Sequence, residues 1–228
     1  MNKLLKIGHR GACGYEPENT LRSFRKALEL GVDMVELDVY VLNAGNCMVI
    51  HDDTVDRTTN GKGYVWEKTF EELRELDAGK GEKIPTLQEV FDLVDRKAQV
   101  NVELKGANTA EPVARLIEQY VAEKGWSYDD FLVSSFNHVE LKKFHDTLPQ
   151  VRIGSLITAI PITYAQFGEE LGAYSVNLNK EFISREFVED AHKRGMKVFV
   201  FTVNEPDEIE QMRSLGVDGV FTNYPDRF

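Results

Sequence analysis

The chain is short of everything that would tie it to an oxidising compartment, a membrane or a polyanion. Its two cysteines, Cys13 and Cys47, lack CxxC-type spacing, so neither a disulfide framework nor a thiolate metal site is read from them. No apolar run approaches the ~20 residues of a membrane span, and the apolar stretch within Met1–Gly8 is too short for a secretory signal. Cations are in deficit. The 27 Lys and Arg against 38 Asp and Glu give a formal charge of −11 and leave no basic stripe for nucleic acid or an anionic bilayer. Gly61-Lys62-Gly63 lacks the Walker spacing, so it is no phosphate loop. No linker or low-complexity stretch divides the chain. These absences lead to the expectation of a cytoplasmic protein, one domain over 1–228, with a small-molecule substrate and no nucleic-acid partner or stable membrane association. No distinctive interface chooses between monomer and homodimer.

Apolar patterning, by contrast, is regular. Short β-branched runs alternate with amphipathic segments, the pattern of a parallel sheet covered by helices. Strands are expected at 5–9, 34–39, 47–51, 100–104, 131–135, 152–157, 174–178, 198–202 and 219–222. Helices are expected at 19–30, 87–95, 110–123, 139–147, 162–171, 185–193 and 206–215. Nine strands are one too many for an eight-stranded barrel, and 40–46 is too short for a helical crossover between parallel strands. A hairpin around Asn43-Ala44-Gly45-Asn46 resolves both points. Pairing residues whose numbers sum to 89 sets His51 opposite Asp38. The expected fold is a TIM-type (β/α)8 barrel with a small inserted subregion after the His51 strand, at about 52–85. That insertion has apolar residues of its own, with a short helix near Phe70–Leu76, and is placed to cap one barrel end.

The chemistry lies in acids embedded in apolar strands. Val35-Glu36-Leu37-Asp38-Val39 carries two carboxylates and Val102-Glu103-Leu104-Lys105 a third. Residues i and i+2 of a strand share a face, so Glu36 and Asp38 point together. Uncompensated carboxylates in a low-dielectric interior protonate or destabilise the fold, and a hard divalent cation relieves both problems. Three oxygen donors suit Mg²⁺ or Ca²⁺ better than zinc. His9, Arg10, His51 and Lys105 fall at strand C-termini, where barrel active sites are built. Two histidines divide proton removal from proton donation, and Arg10 and Lys105 supply charge for an anionic, phosphate-bearing substrate.

With these residues placed, the sequence closely resembles the glycerophosphodiester phosphodiesterase family. The matching text runs in order through Gly8-His9-Arg10-Gly11, Pro17-Glu18-Asn19-Thr20-Leu21, Val35-Glu36-Leu37-Asp38-Val39, Val49-Ile50-His51-Asp52 and Asp56-Arg57-Thr58-Thr59-Asn60-Gly61. It continues with Ile84-Pro85-Thr86-Leu87, Val102-Glu103-Leu104-Lys105, Ser134-Ser135-Phe136-Asn137, Thr202-Val203-Asn204 and Gly216-Val217-Asp218-Gly219. Each block alone is weak, and the ordered set is specific. The resemblance implies metal-dependent hydrolysis of glycerophosphodiesters, such as glycerophosphocholine or glycerophosphoethanolamine, to sn-glycerol 3-phosphate and an alcohol. It also implies Glu36, Asp38 and Glu103 as metal ligands, His9 and His51 as the catalytic pair, and Arg10 and Lys105 as phosphate-binding cations; in the mechanism expected here His9 is the base and His51 the acid. Asn19 lies in a family motif with no role assigned. Phe201 replaces a frequent tryptophan, Cys13 a frequent serine, and Asn43-Ala44-Gly45-Asn46 a frequent Lys-Asp-Gly turn. None of these departures removes a catalytic position.

Plainer readings stand beside these. The acids and cations also suit a buried ion-pair network, although three acids against two cations leave net negative charge. His138, His145 and His192 read as surface residues. Tyr64, Trp66, Phe136, Tyr164, Phe167 and Phe201 read as packing. The same site on a lysophospholipid or cyclic phosphate, and a catalytically silent metabolite-binding barrel, are the competing functions; the silent barrel predicts loss of a key residue, and none is lost.

Overall fold

The computed structural model describes residues 3–228 and forms a closed barrel. Its strands are β1 (Leu5–Gly8), β2 (Met34–Val41), β3 (Cys47–Val49), β4 (Gln99–Leu104), β5 (Phe131–Ser135), β6 (Arg152–Ile157), β7 (Ser175–Asn179), β8 (Lys197–Phe201) and β9 (Gly219–Thr222). All except β3 pair in parallel, and β1 closes the ring by pairing with both β9 and β2. Helices α1 (Leu21–Glu29), α2 (Phe70–Glu75), α3 (Leu87–Val94), α4 (Ala110–Glu123), α5 (His138–Thr147), α6 (Gln166–Leu171), α7 (Arg185–Lys193) and α8 (Pro206–Leu215) complete the chain. Except for α2, they supply the crossovers that parallel strands require. Among the described residues no helix is long and apolar enough to cross a membrane.

The extra strand is the expected hairpin, with its register shifted by one. Val39 pairs with Val49, Tyr40 with Met48 and Val41 with Cys47, so paired numbers sum to 88 rather than 89. Asp38 therefore faces Ile50, whose N–H donates to the Asp38 carbonyl at 3.0 Å, and His51 lies past the last pair. The cause is the turn. Asn43-Ala44-Gly45 forms a three-residue loop between Leu42 and Asn46, with Gly45 at φ 87°, whereas a sum of 89 needs an even loop. Because β4 pairs along one edge of β2, β1 and β3 share its other edge, β1 on the first half and β3 on the second.

Five of the expected helices begin or end differently, α3 and α5 by a single residue. α1 starts at Leu21 because Asn19 adopts φ 57° and Thr20 caps the helix by accepting from Ser23 N–H. The segment 162–165 stays in turns, leaving α6 six residues long. α2 ends at Glu75, where Leu76 turns extended.

Most of the core lies between the outer barrel face and the helices. Inside the barrel, Ile7, Met34, Leu132, Phe199 and Phe221 form a separate apolar cluster. Met34 shares its face with Glu36 and Asp38, so the acids stand above an apolar plug at the C-terminal end. The segment between β3 and α3 has its own small core of Val55, Val65, Leu73, Ala78 and Ile84 packed under Met48 and Ile50. Tyr64 and Trp66, expected to pack inside, instead stack on each other with 42% and 47% exposure.

Candidate active site

Strand register brings the acids together. β2 and β4 run in parallel with Glu36 beside Asn101 and Asp38 beside Glu103. All three carboxylates are buried, and one oxygen from each lies within 4.8 Å of the others. Lys105 follows on the same face of the chain, with Nζ 2.8 Å from Glu103 Oε1 and 3.7 Å from Asp38 Oδ1.

The loop after β1 adds His9 and Arg10. It turns through left-handed backbone at Arg10 (φ 50°) and Gly11 (φ 85°). A Cβ on Gly11 would meet Ser23 backbone atoms at 2.6 and 2.8 Å, so only glycine allows the loop to lie against α1. In this position Arg10 N–H donates to Glu36 Oε2 at 2.7 Å and Arg10 Nη1 to Glu18 Oε1 at 2.8 Å. Arg10 Nε sits 3.5 Å from Asp38 Oδ2 and makes no hydrogen bond. Asn19 donates from Nδ2 to the same Asp38 oxygen at 2.8 Å, so its place is beside the acid cluster.

The two imidazoles are held differently. His9 Nδ1 lies 2.7 Å from Asn223 Oδ1, which also accepts from Cys13 Sγ at 3.0 Å. Burial pushes the Cys13 thiol up to about 12, so it keeps its proton and marks Asn223 Oδ1 as an acceptor. His9 Nδ1 is then the protonated nitrogen and Nε2 keeps its lone pair. Burial, reinforced by the Arg10 guanidinium, pushes His9 down to about 4, so the ring is neutral near pH 7. His51 Nδ1 lies 2.6 Å from Asp52 Oδ1, and its Nε2 is 3.2 Å from Lys105 Nζ. Asp52 is held well below the usual carboxylate range, chiefly by the hydrogen bond from Arg57. An ionised Asp52 accepts from Nδ1–H and turns His51 Nε2 towards the cavity.

The charges do not balance within the cluster. Burial first, then repulsion from Asp38 and Glu103, raises Glu36 well above the ordinary range; burial and Asp38 raise Glu103. Against the opposing effect of burial, the same acids hold Arg10 and Lys105 above their usual values, so both cations persist. The ion-pair network anticipated as the plainer reading is therefore present but incomplete: Asp38 Oδ1 is buried without a hydrogen-bond partner. An orphaned carboxylate oxygen beside two destabilised carboxyls is a donor set that fits a hard divalent cation.

These groups open onto one cavity of about 180 Å³. His9, Arg10, Glu36, His51 and Glu103 line it with Asn101, Ser134 and Thr202, while Phe136, Leu156, Phe201 and Phe221 form an apolar wall. Phe136 and Phe201, edge to face at 5.8 Å, thus do more than pack. A larger groove of about 650 Å³ under Trp66 shares no lining residue with this cavity. His138 stacks on Phe167 and His192 pairs with Asp218, both outside the cavity lining. Sequence reading gave no role to Glu18, Asp52, Arg57 or Asn223. Asp52 and Asn223 follow strand ends, a signal that was available; the partners of Glu18 and Arg57 depend on tertiary contacts.

A (β/α)8 barrel with acids, imidazoles and cations gathered at the C-terminal ends of its strands defines an enzyme class built for an anionic substrate. The sequence matches the Glycerophosphoryl diester phosphodiesterase family over residues 9–227. The glycerophosphodiester phosphodiesterase of Caldanaerobacter subterraneus subsp. tengcongensis is 39% identical, covering 98% of this chain and 96% of the relative. That of Bacillus altitudinis is 37% identical, covering 97% and 95%. An Oleispira antarctica phosphodiesterase solved with the product sn-glycerol-3-phosphate superposes with a TM-score of 0.88 at 32% identity, covering 97% and 93% of the two chains. The chain belongs to the glycerophosphoryl diester phosphodiesterase family and is a phosphoric diester hydrolase.

Proposed function

We propose that the enzyme hydrolyses water-soluble glycerophosphodiesters, such as glycerophosphocholine and glycerophosphoethanolamine, to sn-glycerol 3-phosphate and an alcohol. The observation that carries this reading is the convergence of two imidazoles, a guanidinium and the carboxylates of Glu36 and Glu103 on one cavity of about 180 Å³, with the Asp38 carboxylate clustered behind them. The cavity's charged and polar groups face an apolar wall of Phe136, Leu156, Phe201 and Phe221, a lining suited to a small anionic diester. The groove under Trp66 shares no lining residue with the cavity, which counts against a lysophospholipid substrate.

Glu36, Asp38 and Glu103 would hold Mg²⁺ or Ca²⁺, which when bound neutralises phosphate charge and orients the diester. Arg10, whose side chain lines the cavity, and Lys105 with its ammonium supply positive charge for the non-bridging phosphate oxygens. His9, neutral with a free Nε2 lone pair, removes the proton from the attacking group, either the neighbouring glycerol hydroxyl or water. His51, with a second proton on Nε2 in its imidazolium form, gives that proton to the departing alcohol, while Asp52 holds Nδ1–H and keeps the ring in place. If the hydroxyl attacks, a cyclic phosphate forms, and the histidines exchange roles as water opens it.

Phosphorus NMR of glycerophosphocholine incubated with the enzyme tests this assignment. Glycerol 3-phosphate should appear with wild type, and its formation should fall about 10²–10⁴-fold in folded His9→Ala and His51→Ala variants. Phosphocholine as product, or near-normal turnover in either variant, would refute the assignment.

A further inference from the structure

The segment after β3 is joined to the catalytic mouth through Arg57. Its Nε donates to Asp52 Oδ2 at 2.6 Å and its Nη2 to Asp52 Oδ1 at 3.0 Å. Its Nη1 and Nη2 also donate to Glu18 Oε2 and Oε1, at 2.7 and 2.8 Å. Each carboxylate relays the connection. Asp52 Oδ1 lies 2.6 Å from His51 Nδ1, and Glu18 Oε1 accepts from Arg10 Nη1 at 2.8 Å. His51, Asp52, Arg57, Glu18 and Arg10 therefore form one hydrogen-bonded chain across the mouth.

We infer that Arg57 is a positioning residue, fixing His51 and Arg10 relative to each other through Asp52 and Glu18; the inference rests on the acid–base reading above. A guanidinium is the side chain that makes two paired contacts with two carboxylates at once, which an ammonium cannot do. Without it, Asp52 is free to rotate away from His51, and Glu18 is left with Arg10 alone. The Arg57 side chain is 48% exposed, so solvent screens its contribution to folding. Its effect is expected in catalysis, where a displacement of about 1 Å costs about 10²-fold.

The test uses Arg57→Ala and Arg57→Lys in the full-length enzyme. With glycerophosphocholine, Arg57→Ala should lower kcat by about 10²-fold with an unchanged circular dichroism spectrum, and Arg57→Lys should fall between. Millimolar guanidinium should restore turnover to Arg57→Ala, whereas sodium chloride at equal ionic strength should not. Nitrogen-15 NMR should show His51 as the Nδ1-protonated tautomer in wild type and as a mixture in Arg57→Ala. A kcat within about twofold of wild type, or a loss that guanidinium does not restore with His51 still in its wild-type tautomer, overturns the inference. Failure of the wild type on every glycerophosphodiester would instead refute the substrate reading, and the tautomer comparison would then decide the role of Arg57.

Discussion

Glu36 and Glu103 hold unfavourable positions that follow from the residues around them. Burial raises both, and Asp38 two residues along β2 adds repulsion that Arg10 and Lys105 only partly offset. A carboxyl raised in the folded state binds its proton more tightly there than in the unfolded chain, so it destabilises the fold wherever it is ionised. That penalty is relieved as pH falls through the folded value, about 7 for Glu103. His9 acts in the opposite sense: lowered from 6.5 to about 4, it loses stability as pH falls through that interval. Above 6.5 the carboxyls act without it. The melting temperature of EDTA-treated protein should therefore rise as pH is lowered from about 8 to 6.5, and Ca²⁺ or Mg²⁺ at the higher pH should remove that gain. A melting temperature independent of pH and metal would contradict this view of the cluster. The presence of buried acids was legible in the sequence, because acids interrupt apolar strands. Their partners were less so: the Asn223 that holds His9 lies 214 residues away, and no local pattern links the two.

Elements were easier to read than the joints between them. Each of the nine expected strands is present, since alternation and β-branched runs mark them directly. The hairpin was also legible from the short 40–46 interval, but not its register. Asn43-Ala44-Gly45-Asn46 suits an even or an odd loop, and the choice depends on Gly45 adopting φ 87°. One residue of slip changes which side chain faces Asp38. No atom lies within 4 Å of a Cβ built on Gly45, so a substitution there probes backbone conformation alone. Gly45→Ala should lower stability by about 1 kcal/mol, measured as a shift of the urea midpoint with unchanged slope. No shift would mean that the loop is not held in the left-handed conformation.

At the scale of the molecule, the site exists only because the ring closes. The loop after β1 supplies His9, β2 and β4 the acids, and the turn after β9 supplies Asn223, so the first and last strands meet at the catalytic mouth. The barrel was legible from strand and helix alternation. The Arg57 link was not, since it unites Glu18 on the first loop with Asp52 after β3. The proposed cation site of Glu36, Asp38 and Glu103 beside the two imidazoles predicts catalysis that depends on a divalent ion. The most direct test is the rate of glycerol 3-phosphate release from glycerophosphocholine by EDTA-treated enzyme as Mg²⁺ or Ca²⁺ is added back. The account predicts negligible release without metal and saturable recovery with at least one of the two ions. Full turnover in EDTA, or none with either ion, would contradict it.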